Sequence, residues 1–151
     1  MLIRARPGRA KLYVARAACE MSKQTVRDLD AIYGDADRAI QLDPELARAW
    51  LIRSAVRCQR GEFEEAIEDT TAALQLDPEQ AYALQLRALC HAFRGDFARA
   101  YADMDEAARI APGYANATNI RRTILALKDS ALRGEEKEEW QRRLNAGALL
   151  P

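Results

Sequence analysis

The side chains most able to do chemistry recur at a fixed interval. Asp35, Asp69 and Asp103 repeat with a period of 34, and Arg53, Arg87 and Arg121 keep the same period. Arg16 precedes Arg53 by slightly more than one period. Arginine and carboxylate in matched series can form bidentate ion pairs, or an arginine left over can hold an anion. A charge on the inner side of a helix must be paired or its desolvation is costly. The pattern therefore predicts a structural ladder of Arg–Asp pairs rather than an anion site. Two registers satisfy it. Within a unit, Arg53 meets Asp69 and Arg121 is left over. Between units, Asp35 meets Arg53, Asp69 meets Arg87 and Asp103 meets Arg121. Arg121 is kept although Lys137 stands where the next aspartate would be, which favours the second register.

The remaining reactive residues are sparse. His91 is the only histidine. It adjoins Cys90, but neighbours on a helix point about 100° apart, which excludes a Cys–His nucleophile pair. There is no acidic–histidine cluster and no CxxC to ligate a metal, and no GxGxxG or GxxxxGK[ST] to cradle phosphates. Glu64-Glu65 and the glutamates of residues 135–139 read as solvated helix faces. No catalytic, metal-binding or cofactor-binding residue is predicted, and no enzymatic activity.

The interval belongs to whole elements. Residues 47–78 shifted by one period lie over residues 81–112: Trp50 falls on Leu84, Gly61 on Gly95, Phe63 on Phe97, Ala66 on Ala100, Ala73 on Ala107 and Pro78 on Pro112. Each unit reads as a helix, an Arg-Gly-Glu/Asp-Phe turn and a second helix. Gly61 and Gly95 suit the left-handed position after a helix end. Glu62 and Asp96 complement the following helix N-terminus. Pro78 stops the second helix. Pro44, one period before Pro78, closes an earlier unit. Aligning Tyr13 with Trp50 then needs a three-residue insertion around residues 22–26. A helix is predicted from about Ala10, and a second from about Val26 to Leu42 with Gly34 inside it. A helix pair cannot bury its apolar face alone, so neighbours must supply the rest. Small residues at Ser54, Ala66, Ala73, Ala88, Ala100 and Ala107 allow close approach. Trp50, Phe63, Ile67, Leu74, Leu84, Phe97, Met104 and Ile110 fill between them.

A period of 34 with an aromatic, a glycine turn, small residues and a closing proline resembles the tetratricopeptide repeat (TPR) family. The resemblance covers about residues 10–132. It implies an all-α, right-handed superhelical solenoid. Residues 1–9 form a short basic arm. Repeats span about 10–44, 47–78 and 81–112, a closing helix spans 115–132, and an amphipathic tail helix lies within 133–151. In that family the concave face is lined by the first helix of each pair. Carried over, it shows Val14, Ala18 and Met21; Arg48, Leu51, Ala55 and Gln59; Tyr82, Gln85, Leu89 and Phe93; then Asn116, Asn119 and Thr123. This is an apolar trough with an amide-rich far end, suited to an extended peptide or a helix, with Tyr82 and Phe93 as anchors. Some of these residues instead pack first helix against first helix. The family's carboxylate clamp of Lys, Asn and Arg is not matched, since its slots hold Val14, Ala18, Ile52, Tyr82 and Leu86. Chaperone-tail capture by that route is not expected.

Composition bounds the rest. Basic and acidic residues balance, 23 against 23, so no overall field recruits nucleic acid or an anionic membrane. Residues 1–27 are basic on balance and residues 28–79 acidic, and both biases read as solvated faces. Arg4, Arg6, Arg9, Lys11, Arg16 and Lys23 offer only a weak nucleic-acid alternative. Residues 1–9 lack the apolar run of a signal peptide. No window approaches the ~20 apolar residues of a bilayer span. Three cysteines, Cys19, Cys58 and Cys90, fit reduced thiols in a cytoplasmic protein. The excess of arginine over lysine points weakly to a GC-rich bacterial genome. The expected function is a stand-alone adaptor binding a protein partner. The alternative is a structural subunit or homo-oligomer using the convex face or the tail. Trp140 and Leu144 lie four apart on the tail helix, which packs on the closing helix, folds over the groove, or mediates self-association.

Overall fold

The computed structural model describes residues 7–22, 28–113, 115–133 and 142. Among them are seven α-helices and no strand: α1 (Pro7–Met21), α2 (Leu29–Leu42), α3 (Ala47–Arg60), α4 (Phe63–Leu76), α5 (Ala81–Phe93), α6 (Phe97–Ile110) and α7 (Ala115–Arg133). Helices α1 and α2, α3 and α4, and α5 and α6 pack as pairs. The pairs join through α2 on α3 and α4 on α5, and α7 closes against α5 and α6. The first helices also touch in series, α1 to α3, α3 to α5 and α5 to α7. The chain is thus a row of helix pairs, each held by its neighbours.

Turn chemistry sets the pairs. Gly61 and Gly95 have φ of 80° and 84°, the left-handed region open to glycine. Behind each, two hydrogen bonds satisfy the last carbonyls of the helix. Gly61 N–H donates to Cys58 O at 3.1 Å and Glu62 N–H to Arg57 O at 2.9 Å. Gly95 and Asp96 repeat this on Ala92 and His91, both at 2.9 Å. This is the Schellman arrangement. Asp96 then caps α6 by accepting from Arg99 N–H at 3.1 Å, and Asp28 caps α2 by accepting from Ala31 N–H at 3.0 Å. At the joint between the first two pairs, Trp50 Nε1–H donates to the carbonyl of Pro44 at 2.8 Å.

The first pair departs from expectation. Helix α1 begins at Pro7, not near Ala10, so residues 7–9 are helical rather than part of an arm. Proline suits a first helical position because the N–H it lacks would have no partner there. Helix α2 begins at Leu29 rather than Val26, where the Asp28 cap sets it. The inserted turn lies mostly in residues 23–27, and the tail helix with Trp140 and Leu144 in residues 134–141 and 143–151; both fall outside the described residues.

The small residues permit the close packing. Ser54, Ala66, Ala73, Ala88, Ala100 and Ala107 are all buried, and the Ser54 hydroxyl donates to Ala66 O at 3.0 Å. Phe63 and Phe93 stack with ring centroids 4.7 Å apart and planes 2° apart, which locks the turn of one pair to the end of the next first helix. Of the fillers, Leu84 and Met104 are buried. Trp50, Phe63, Ile67, Leu74, Phe97 and Ile110 are half-buried at the seams.

Candidate functional site

The arginine series pairs within each helix pair. Arg53 donates from Nε and Nη2 to the two oxygens of Asp69 at 2.9 and 2.7 Å, and Arg87 grips Asp103 in the same way at 2.8 and 2.7 Å. Arg16 pairs likewise with Asp35. Partners 16 apart stand symmetrically about Gly61 or Gly95, so the antiparallel hairpin brings them level. In the first pair the separation is 19, which matches three extra residues in the turn.

The between-repeat register with Asp35, Asp69 and Asp103 is therefore corrected. A different residue makes the cross-repeat contact. Arg53 Nη1 donates to Asp37 of the preceding pair at 2.7 Å, Arg87 Nη1 to the Thr71 hydroxyl at 3.3 Å, and Arg121 Nη2 to Asp105 at 2.6 Å. Arg53 and Arg87 thus each bridge two second helices. Arg121 is not left over, because α7 lies level with Asp105. The signal was in the sequence: Asp37, Thr71 and Asp105 themselves follow the period of 34. The carboxylates raise the basicity of Arg16, Arg53 and Arg87, mainly through these hydrogen bonds.

The joint between the first and second pairs holds further residues that the periodicity did not single out. Arg57 donates to Asp69 at 2.8 Å and to the Tyr33 hydroxyl at 3.3 Å. Arg60 lies 4.9 Å from the centroid of the Tyr33 ring and pairs with Asp30. Arg53 lies 5.1 Å from that of Trp50. Asp69 is almost wholly buried beneath two guanidinium groups, and the Asp37 carboxylate balances the second positive charge.

The trough residues form rows across the first helices. Arg48 and Tyr82 occupy one slot in successive repeats and are exposed, Tyr82 at 43%. Asn116 continues that row by sequence, and its side chain lies outside the described set. The next rows sink inward. Leu51, Gln85, Ala55, Leu89 and Thr123 are buried, as are Val14 and Phe93; Ala18, Met21, Gln59 and Asn119 are half-buried. First helices packed on one another cover these positions, so the wall offers less apolar surface than the residue types imply. Phe93 is spent on stacking with Phe63. Gln85 is fully buried, and neither of its amide atoms has a hydrogen-bond partner among the described residues.

Similarity to solved structures follows this geometry. The Arabidopsis OM64 TPR domain matches 80% of this chain and 97% of its own, with TM-score 0.71 at 17% identity. The fold is that of the tetratricopeptide repeat. The first TPR of Spaghetti (RPAP3), solved bound to the HSP90 peptide SRMEEVD, matches 82% of this chain and 96% of its own, with TM-score 0.73 at 17% identity. The Yersinia enterocolitica type III secretion chaperone SycD, solved with a peptide of the translocator YopD, matches 83% and 94%, with TM-score 0.65 at 15% identity. No protein-family model matches the sequence, and no curated protein matches it either.

Within the TPR frame the reactive residues lie in the packing. Cys90 is fully buried, and its thiol is held well above its ordinary range by a hydrogen bond with Cys58 and by burial, the opposite of an activated nucleophile. Burial also lowers the basicity of His91, although Asp103 and Asp96 oppose the shift. Among the described residues, no group of His, Cys, Asp and Glu is placed to hold a metal ion, and no helix is long and apolar enough to cross a membrane.

Proposed function

We propose that this TPR chain is a non-catalytic interaction module that takes an extended peptide or helix of a protein partner across the row of first helices. The observation that carries the reading is the row begun by Arg48 and Tyr82, which stands exposed on helices packed side by side. An exposed tyrosine and an exposed arginine in one repeat slot are suitable anchors, because aromatics and arginine dominate binding energy at interfaces. The half-buried Ala18, Met21, Gln59 and Asn119 extend the surface. RPAP3 and SycD, similar in fold, were solved with bound peptides, which supports this use. The clamp slots remain without a basic side chain, so recognition rests on apolar contact, amides and Arg48 rather than on a C-terminal carboxylate. The free, buried Cys58 and Cys90 fit a reducing, cytoplasmic setting. The test is selection of binding peptides from a random display library, followed by affinity measurement on wild type, Tyr82→Ala and Arg48→Glu. Both variants alter exposed residues and leave the buried rows intact.

A second reading rests on the ends of the row. Leu12 on α1 is 70% exposed and Leu125 on α7 is 52% exposed, and the outer faces of a solenoid need covering. Under this reading the chain is a subunit of an assembly or a homo-oligomer. Sedimentation velocity separates the two, since a Leu12→Glu or Leu125→Glu variant alters the oligomeric state only under the second.

A further inference from the structure

A cleft of about 350 Å³ opens between α4, α5 and α6, lined by Ile67, Thr71, Arg87, His91, Arg99 and Asp103. It lies between second helices, away from the row of Arg48 and Tyr82, and owes nothing to the function proposed for that row. The corresponding space one repeat earlier is filled by the chain itself. There Tyr33, Asp37 and Arg57 occupy the slots that Ile67, Thr71 and His91 take in the next repeat. Asp37 accepts from Arg53 Nη1 at 2.7 Å, while Arg57 reaches Asp69 and the Tyr33 hydroxyl. In the later repeat each of these three side chains is replaced by a shorter one, and the cleft is the space left over.

The replacements leave Arg87 without a second strong acceptor. Among the described residues, Arg87 Nη1 has only the Thr71 hydroxyl, at 3.3 Å. His91 is 6% exposed, yet its Nδ1 has no hydrogen-bond partner among them. That nitrogen is itself enclosed, and the ring meets the cleft through its other atoms. Arg99, where the earlier repeat has Glu65, extends along the rim and is mostly exposed, with Asp96 at 3.4 Å. Asp103 is already gripped by both parallel hydrogen bonds from Arg87. What the site lacks is the carboxylate that Asp37 gives Arg53 and Asp105 gives Arg121. The earlier repeat shows that a second carboxylate is accommodated across the guanidinium from the first, since Arg53 holds Asp37 and Asp69 together.

We propose that the cleft binds a carboxylate group, which takes the place of the missing aspartate beside the His91 ring and accepts hydrogen bonds from Arg87 Nη1, Thr71 and Arg99. Two sources carry this chemistry, a small free acid and an acidic side chain of a partner protein. Because His91 is the only histidine, its ring protons are a single reporter in the NMR spectrum of the intact chain. The chain is titrated with sodium acetate, and separately with a blocked peptide, acetyl-Ala-Glu-Ala-amide, at ionic strength held constant with sodium chloride. The expected result is a saturable shift of the His91 ring signals. Thr71→Asp, which supplies the carboxylate from the chain, and Arg99→Ala, an exposed change that spares the fold, each weaken the response at least tenfold. Circular dichroism confirms that both variants are folded. Saturation by the peptide at tenfold lower concentration than acetate assigns the site to an acidic side chain, and equal affinity assigns it to a free acid. No saturable shift with either titrant, or a response that folded Thr71→Asp leaves unchanged, overturns the proposal.

Discussion

Arg53 meets Asp69 through two parallel hydrogen bonds of 2.9 and 2.7 Å, and the two residues stand symmetrically about the left-handed Gly61. The turn that reverses the chain thus also brings the pair level. Because Asp69 is almost wholly buried and also accepts from Arg57, its removal takes the near carboxylate from Arg57 and leaves Arg53 with Asp37 alone. Asp69→Ala is expected to cost about 3–5 kcal/mol, the usual result of breaking a buried pair. Asp105→Ala, at the exposed pair with Arg121, is expected to cost at most about 1 kcal/mol. Urea unfolding of both variants measures the difference, and equal costs would contradict the assignment.

Arg87 and Asp103 give a double-mutant test of what such a pair contributes. Arg87→Met alone leaves the Asp103 carboxylate buried and unpaired, and its Tm is expected to fall. Arg87→Met with Asp103→Leu removes both charges and is expected to recover most of the loss, since apolar replacement of a buried pair is often neutral or better. A double variant no more stable than the single one would show that the pair is required for the packing itself.

Gly34 lies inside α2 with open space where a Cβ would stand, and it is not among the residues of positive φ. Gly34→Ala is expected to stabilise by about 0.5–1 kcal/mol, chiefly by restricting the unfolded chain. At about 2–4 °C per kcal/mol for a domain of this size, the Tm rises by a few degrees, as thermal unfolding followed by circular dichroism would show. A lower Tm would mean that α2 requires the glycine.

His91 supplies a pH dependence. Its folded-state basicity lies below the ordinary imidazole value of 6.5, because burial outweighs the carboxylates of Asp103 and Asp96, while Arg87 and Arg99 reinforce the lowering. The unfolded chain therefore binds the proton first as pH falls. Stability is full above 6.5 and declines as pH drops below it, towards the lowered folded value. His91→Gln is expected to flatten the change in Tm between pH 7 and 5. An unaltered slope would place the titration elsewhere.

Much of the fold was legible because the features that set it are local. Gly61, Gly95 and Pro78 act on the backbone within one turn and recur with the repeat. The pairing of the arginines was less legible, because each faces candidate partners on the second helices of two repeats, as Arg53 faces Asp69 on α4 and Asp35 or Asp37 on α2. Only the level of one helix against the next selects Asp69 over Asp35 for Arg53 and brings in Asp37. The three-residue insertion was readable as a gap in the alignment and reappears in the separation of 19 between Arg16 and Asp35. The wall was overread. Leu89 and Phe93 have the residue types of a binding trough, but α3 and α7 against α5 and the ring of Phe63 hide them, and residue type does not report how closely first helices approach. Arg57 and His91 share a slot and differ in reach, so the cleft emerges only when the two repeats are compared in space.

The central claim, that the molecule offers a binding surface along its first helices, is most directly tested by hydrogen–deuterium exchange of the chain with and without a display-selected peptide. Slowed exchange in α3 and α5, lost together with affinity in Tyr82→Ala and Arg48→Glu, is the predicted result. Protection confined to the second helices α2, α4 and α6, or binding indifferent to both substitutions, would contradict it.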